Sequence, residues 1–512
     1  MIIETKTGKI MATTVTRLGK SVHCFFGIPY AEPPVGTLRF RKAVPKKAFK
    51  ETLKALKQPN YCFQRKTTID KSSEYVKQVL KYIPDLNHYF DVERAEDCLY
   101  LNVFVPDSGA NKTVMVWIHG GAFISGQISH YDGSTLAAAR DVIVVTVSYR
   151  LGVFGFLAAN GSELPGNYGL HDQVLALHWI RDNIHAFGGN VDNVVLFGES
   201  AGAISVGYHL ICPLSRDLFS RAILESGNPL VPMIMADRNI NTEATLDLIR
   251  ALCPHIAATQ VDSRGITCLQ EANASLLYDW SQKIFARRIG SFLPIEDNDF
   301  FAEHPQELVS NRQFFGSKEI LIGTNAVEGS PTRIINSLHS GANFATFGPF
   351  GKFPKNAFTK HTFVALLKHN LPEEYSGLAE MAVDYVLDGV SNGSDSTEVW
   401  NRYVDIVGDV IFVCPDFVFI NHYSAANQTV FYYRFVPKAK YFWSGPDWAS
   451  GAVHAQELPF VFGIPLVLQK WFSLKEIQLS ETLMTVWTEF AKTGFVSHFQ
   501  TFVLKWQLCT KS

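Results

Sequence analysis

Gly198-Glu199-Ser200-Ala201-Gly202 sets a serine between two glycines, directly after the apolar run Val194 to Phe197 and before an apolar stretch of helical character. A serine hydroxyl is a weak nucleophile at neutral pH, so chemistry at Ser200 requires exposure on a sharp turn beside a base. The flanking glycines permit that turn. An acyl-transfer serine also needs N–H donors aimed at the developing oxyanion, each worth about 3 kcal/mol. His119-Gly120-Gly121-Ala122-Phe123 follows a second apolar run, Val114 to Ile118, where such a loop belongs. Main-chain N–H groups do that work, so alanine at 122 preserves the chemistry while adding a methyl beside the substrate. Gly121, Ala122 and Ala201 are the expected donors.

In the α/β-hydrolase arrangement an acid and a histidine follow the serine in that order, each on a loop after a strand. Glu328 meets the first demand, lying just beyond the apolar run Glu319 to Gly323, whereas Asp384, Asp405 and Asp409 sit in helix-like segments. Downstream histidines are His339, His361, His369, His422, His454 and His498; only His454 stands in a glycine-rich loop before an apolar, proline-punctuated run.

Those residues demand a scaffold of buried strands. Val114 to Ile118, Val142 to Val147 and Val194 to Phe197 carry no charge, as strands covered on both faces require. Between them Asp172 to Asn183 reads as a helix, and from Asp97 to Ser226 strand and helix patterns alternate, predicting a mainly parallel α/β sheet flanked by helices. Asn239 to Arg312 and Asn336 to Val407 are helical in character and read as insertions, while Ser480 to Lys492 forms a last helix ending at Gly494. No repeat, linker or composition break divides the chain, so residues 1–512 are expected to form one domain.

Lys and Arg total 46 against 48 for Asp and Glu, with no basic run interleaved with aromatics, which argues against nucleic acid as a partner. No stretch reaches the roughly 18 apolar residues of a membrane span, and the first twenty residues lack the apolar block of a secretory leader. Five sequons, at Asn111, Asn160, Asn273, Asn392 and Asn427, and eight cysteines nevertheless point to a secreted glycoprotein.

The motifs Phe26-Gly27-Ile28-Pro29-Tyr30-Ala31, Glu96-Asp97-Cys98-Leu99-Tyr100-Leu101-Asn102-Val103, the His119 loop, the Ser200 pentapeptide, Glu328-Gly329-Ser330, and Gly451-Ala452-Val453-His454 through Gly463 resemble those of the type-B carboxylesterase and cholinesterase family, along nearly the whole chain. The resemblance implies a Ser200, Glu328, His454 triad acting through an acyl-enzyme on a small-molecule ester, with no metal and no cofactor. Glu199 matches an acidic residue that modulates the family's site. The resemblance also implies disulfides Cys62–Cys98 and Cys253–Cys268, a third from Cys414 to Cys509, and structural ion pairs Arg39–Glu96 and Arg150–Asp172, leaving Cys24 and Cys212 unassigned.

Departures from the family pattern bear on the substrate. Choline-ester hydrolases hold a quaternary ammonium on a tryptophan whose position, ten residues before Cys98, is here His88, followed by Tyr89 and Phe90. The two phenylalanines of the acetylcholinesterase acyl pocket are replaced by Arg288 and Gly290, and a further pocket tryptophan by Met233. Phe123, beside the oxyanion loop, is a further expected substrate contact, and the resemblance of that loop to the one in bile-salt-stimulated lipases adds longer acyl or sterol esters to the candidate substrates. These changes predict broad carboxylesterase specificity, with choline-ester hydrolysis or a non-catalytic adhesion role as the alternatives. Only eighteen residues follow Gly494, so the C-terminus is expected to be shortened, weakening a helix-mediated homodimer.

Overall fold

The computed structural model describes residues 1–66, 92–232, 234–316, 318–329, 396–439 and 449–497. Its strands are β1 (Ile2–Thr5), β2 (Gly8–Arg17), β3 (Lys20–Pro29), β4 (Leu53–Ala55), β5 (Tyr61–Cys62), β6 (Arg94–Ala95), β7 (Tyr100–Pro106), β8 (Lys112–Ile118), β9 (Ile143–Val147), β10 (Gly189–Glu199), β11 (Arg221–Glu225), β12 (Ile320–Asn325) and β13 (Val430–Phe435). The central sheet runs β1-β2-β3-β7-β9-β8-β10-β11-β12-β13, with β4 beside β2 and β5 pairing β6 separately. From β9 to β13 every neighbour is parallel. The N-terminal strands β1, β2, β3 and β7 extend that core antiparallel.

Side-chain alternation explains why the stretches Val114 to Ile118 and Val194 to Phe197 carry no charge. Val114, Val116 and Ile118 of β8 enter one apolar cluster with Val194 and Leu196 of β10. Met115 and Trp117, with Val195 and Phe197, enter a second cluster on the opposite face. A strand whose successive side chains meet two dry layers has no place for a polar residue. The first layer is closed by the helices Tyr168–Asn183 and Ala201–Leu210, the second by Ser134–Arg140 and Leu474–Thr493.

Boundaries differ modestly from the sequence reading. The helix expected from Asp172 starts at Tyr168, a turn earlier, and the last helix starts at Leu474 rather than Ser480. There Ser473 accepts from the N–H of Glu476 while the Glu476 carboxylate takes the Ser473 N–H, a capping box. Gly494 ends the helix in the left-handed region, where the absent Cβ removes the penalty. Of the two expected helical insertions, the first contains Arg238–Leu252, Ser263–Glu271, Ala274–Phe285 and Pro305–Ser310. Its first three helices share a separate apolar cluster outside the sheet. The second lies largely outside the described residues.

Disulfides Cys62–Cys98 and Cys253–Cys268 are formed. Cys414 is also disulfide-bonded, whereas Cys509 lies outside the described residues. Cys24 and Cys212 are buried and belong to neither of these disulfides.

Candidate active site

The chain passes from β8 out to β9 on one side and returns through β10 on the other. Loops leaving the carboxyl ends of β8 and β10 therefore diverge over a common crevice, the usual binding place in open α/β sheets. Gly198 pairs with Ile118, which sets Ser200 beside the His119 loop.

Ser200 occupies the single residue between β10 and the helix Ala201–Leu210, at φ 57° and ψ −125°. That conformation costs an L-residue about 1–3 kcal/mol and survives only where its surroundings impose it. Here the Ser200 N–H donates to Glu225 O at 2.9 Å and its carbonyl accepts from Ile204 at 2.9 Å. Gly202 is required by proximity: a Cβ there would lie 2.0 Å from Ile118 O.

The loop after β8 is similarly constrained. Gly121, Ala122 and Phe123 all have positive φ, and a Cβ on Gly121 would meet Ser125 O at 2.1 Å. Gln64 clamps the far end, donating to Gly126 O at 2.7 Å and accepting from Gly126 N at 2.9 Å. Tyr149 donates to His119 O at 2.7 Å and stacks on the His119 ring. Among the described residues, nothing accepts a hydrogen bond from the N–H groups of Gly121, Ala122 or Ala201.

Glu328 and His454 come from loops after different strands, and a short stretch of pairing holds them together. Val327 bridges Val453 in parallel, Val327 N donates to Ala452 O at 2.8 Å, and Asn325 Nδ2 donates to Val453 O at 2.9 Å. Glu328 Oε2 then lies 2.6 Å from His454 Nδ1. Its Oε1 accepts from Ser226 Oγ and from Asn325 N, both at 2.5 Å. The carboxylate is thus fully oriented. Phe412 covers the His454 ring with centroids 4.8 Å apart.

The other face of His454 is turned to Glu199, whose Oε1 is 2.9 Å from Nε2. Among the described residues no hydrogen bond joins Ser200 Oγ to His454. Burial opposes charge on His454, but the Glu199 and Glu328 carboxylates outweigh it and raise its pKa well above the ordinary histidine value. Two further carboxyls stand close by. Burial and Glu457 raise Glu225 far above the carboxylate range, although Trp487 Nε1 donates to it at 2.9 Å. Burial and Glu199 push Glu457 up to about 8. Burial and the neighbouring carboxylates thus favour the protonated forms of Glu225 and Glu457.

Other expected site residues are placed differently. Phe123 is fully buried and its ring packs on Phe156, Tyr149 and Tyr208, inside the core. Arg288 points to the helix Arg238–Leu252, its Nε 2.8 Å from Asp247 Oδ2, and Gly290 forms an open turn at φ 87°. His88 and Met233 lie outside the described residues. Arg39–Glu96 and Arg150–Asp172 form two-pronged ion pairs away from Ser200. Sequence reasoning missed Ser226, Asn325, Glu225 and Glu457. One signal existed: Glu225 closes the apolar run Ala222 to Leu224, and Glu457 directly precedes the run Leu458 to Phe462.

A sequence model of the Carboxylesterase family matches residues 1–512. The chain belongs to the carboxylesterase family. This member is 35% identical to an acetylcholinesterase of Danio rerio, over 96% of its own length and 80% of the relative's. It is 36% identical to an acetylcholinesterase of Bungarus fasciatus, over 96% and 78% of the two chains. A cholinesterase of Mus musculus is 34% identical, over all of this chain and 82% of the relative. This carboxylesterase-family chain therefore has the α/β-hydrolase fold and is a hydrolase of small-molecule carboxylic esters. Among the described residues no helix is long and apolar enough to cross a membrane.

Proposed function

We propose that this protein is a serine carboxylesterase of broad specificity in which Ser200 is the nucleophile, His454 the general base and Glu328 the residue that orients it. The 2.6 Å contact between Glu328 and His454 Nδ1 carries this reading, because it leaves Nε2 as the imidazole nitrogen facing the nucleophile's side. In the resting arrangement Nε2 is held by Glu199, the neighbour of Ser200 in sequence. A small swing of the ring, as substrate enters, transfers it to Ser200 Oγ; catalytic hydrogen bonds commonly tighten only in the complex. Ser200 then attacks the ester carbonyl, and the N–H groups of Gly121, Ala122 and Ala201 receive the oxyanion. His454 protonates the leaving alcohol and activates the water that releases the acid.

Broad specificity rests on His88, Met233, Arg288 and Gly290 standing where choline-ester hydrolases carry aromatic rings, while the cholinesterase relatives favour the alternative, hydrolysis of choline esters. Sequon residues Asn111, Asn160, Asn273 and Asn427 are exposed, and two disulfides are formed, which supports a secreted glycoprotein. A homodimer and a single domain over residues 1–512 belong to the same proposal. The test is an organophosphate label with peptide mapping, alongside turnover of nitrophenyl acetate, naphthyl acetate, acetylthiocholine and butyrylthiocholine. Stoichiometric labelling of Ser200 with preference for the naphthyl ester is expected. Folded protein that takes no label would overturn the catalytic reading, and selective acetylthiocholine hydrolysis the specificity.

A further inference from the structure

His171, Asp297 and Asp299 form a cluster outside the site described above. His171 lies in the first turn of the helix Tyr168–Asn183, and the two aspartates lie in the loop ahead of Phe300 and Phe301. His171 Nε2 is 3.9 Å from Asp297 Oδ2 and 3.3 Å from Asp299 Oδ2. One ligand atom from each residue falls within 4.8 Å of the other two.

Among the described residues, two of these atoms are buried without a hydrogen-bond partner. Asp297 has a fully buried side chain, and its Oδ1 accepts from the N–H groups of Asp299, Phe300 and Phe301 at 3.1, 2.9 and 3.0 Å. Those three bonds fix the carboxylate and aim Oδ2 at the imidazole, yet among the described residues Oδ2 has no hydrogen bond of its own. His171, with 7% of its side chain exposed, has the same deficit at Nε2. Leaving a buried donor or acceptor unsatisfied is destabilising, so such an atom calls for a partner. A carboxylate oxygen and an imidazole nitrogen facing each other at 3.9 Å are too far apart for a hydrogen bond and close to the spacing of two ligands on one ion.

We propose that His171, Asp297 and Asp299 bind a zinc-class divalent cation. Ligands about 2.1 Å from zinc in a tetrahedron lie about 3.4 Å apart, so the 3.3 Å edge already fits, the 3.9 Å edge closes with a shift of about half an ångström, and the two aspartate oxygens, within 4.8 Å of each other, draw together on the ion. One imidazole with two carboxylates suits zinc better than calcium, which takes oxygen ligands only. Asp299 keeps 38% of its side chain exposed, so the open side admits the ion and a water ligand. Lys42 Nζ contacts Asp299 Oδ2 and is the resident competitor; its side chain is half-exposed and free to leave. The same junction already carries one clasp, since Asn167 donates to Ile295 O at 2.7 Å and accepts from Ile295 N at 3.0 Å. A bound ion adds a second between helix and loop.

The test is calorimetric titration of the chelator-treated full chain with zinc chloride, repeated on His171→Leu, Asp299→Asn and Lys42→Met. Retained ester hydrolysis and an unchanged circular dichroism spectrum establish that each variant is folded. A saturable event of unit stoichiometry is expected, weakened at least about tenfold in the first two variants, the lower bound for losing even a residue that merely supports a ligand, and tightened in the third. Wild-type protein with no saturable event overturns the proposal. So does an event that persists unchanged in His171→Leu and Asp299→Asn, which would place zinc elsewhere, or one that Lys42→Met leaves unaltered.

Discussion

Replacing Glu199 by glutamine keeps the side-chain volume and a hydrogen-bonding group facing His454 but removes a charge 2.9 Å from Nε2. Two unit charges at that separation attract by about 6 kcal/mol at an effective dielectric of about 20. Screening and burial reduce what reaches the titration, and close carboxylate partners move a pKa by about 1–3 pH units. The sign follows from the protonation state required. In the proposed mechanism His454 works as a base only when neutral, so activity should be lost as the pH falls through its raised pKa. Without the Glu199 charge that pKa drops, and the acid limb of kcat/KM should move down by about 1–3 pH units. Glu328, 2.6 Å away on Nδ1, still supports the imidazolium. The assay is a pH profile of nitrophenyl acetate hydrolysis; a neutral ester keeps electrostatic attraction of substrate out of the reading. An acid limb that stays in place, or moves up, refutes the claim that Glu199 holds the proton on His454.

Glu328→Gln should lower kcat by about 10³–10⁴-fold while leaving KM within a few-fold, because the amide disorders the tautomer that Glu328 imposes; steady-state kinetics on nitrophenyl acetate checks this. Gly202→Ala sets a Cβ 2.0 Å from Ile118 O and should destabilise the fold by about 3 kcal/mol or prevent its accumulation, measured by urea unfolding. Replacing both Cys253 and Cys268 by serine opens a loop closed across a separation of 15 residues. That double replacement should cost about 3 kcal/mol in the same assay, with ester hydrolysis retained by the folded fraction.

Ser200 was legible because the features that build its turn are local: an apolar strand, two small residues where backbones cross, and a helix directly after. The uncharged cores of β8, β9 and β10 were legible for the same kind of reason, since burial on both faces leaves its mark in successive residues. The antiparallel strands β1 to β3 were not singled out. They alternate polar and apolar residues and are exposed along part of their length, so their signal is weaker. His454 presented the opposite difficulty. Several downstream histidines competed, and nothing in local spacing reports that the loops after β12 and β13 are bridged at Val327 and Val453.

Sequence by itself determined the fold class, the turn carrying Ser200 and the loop facing it, because short-range sterics and two-sided burial are written into neighbouring residues. Tertiary structure decided the electrostatics. It brought Glu199, Glu225, Glu328 and Glu457 into one dry region around His454. It turned Phe123 into the core and Arg288 toward Asp247. It also set His171 against two aspartates more than a hundred residues away. Charges act through space and through the local dielectric, and neither quantity has a period along the chain.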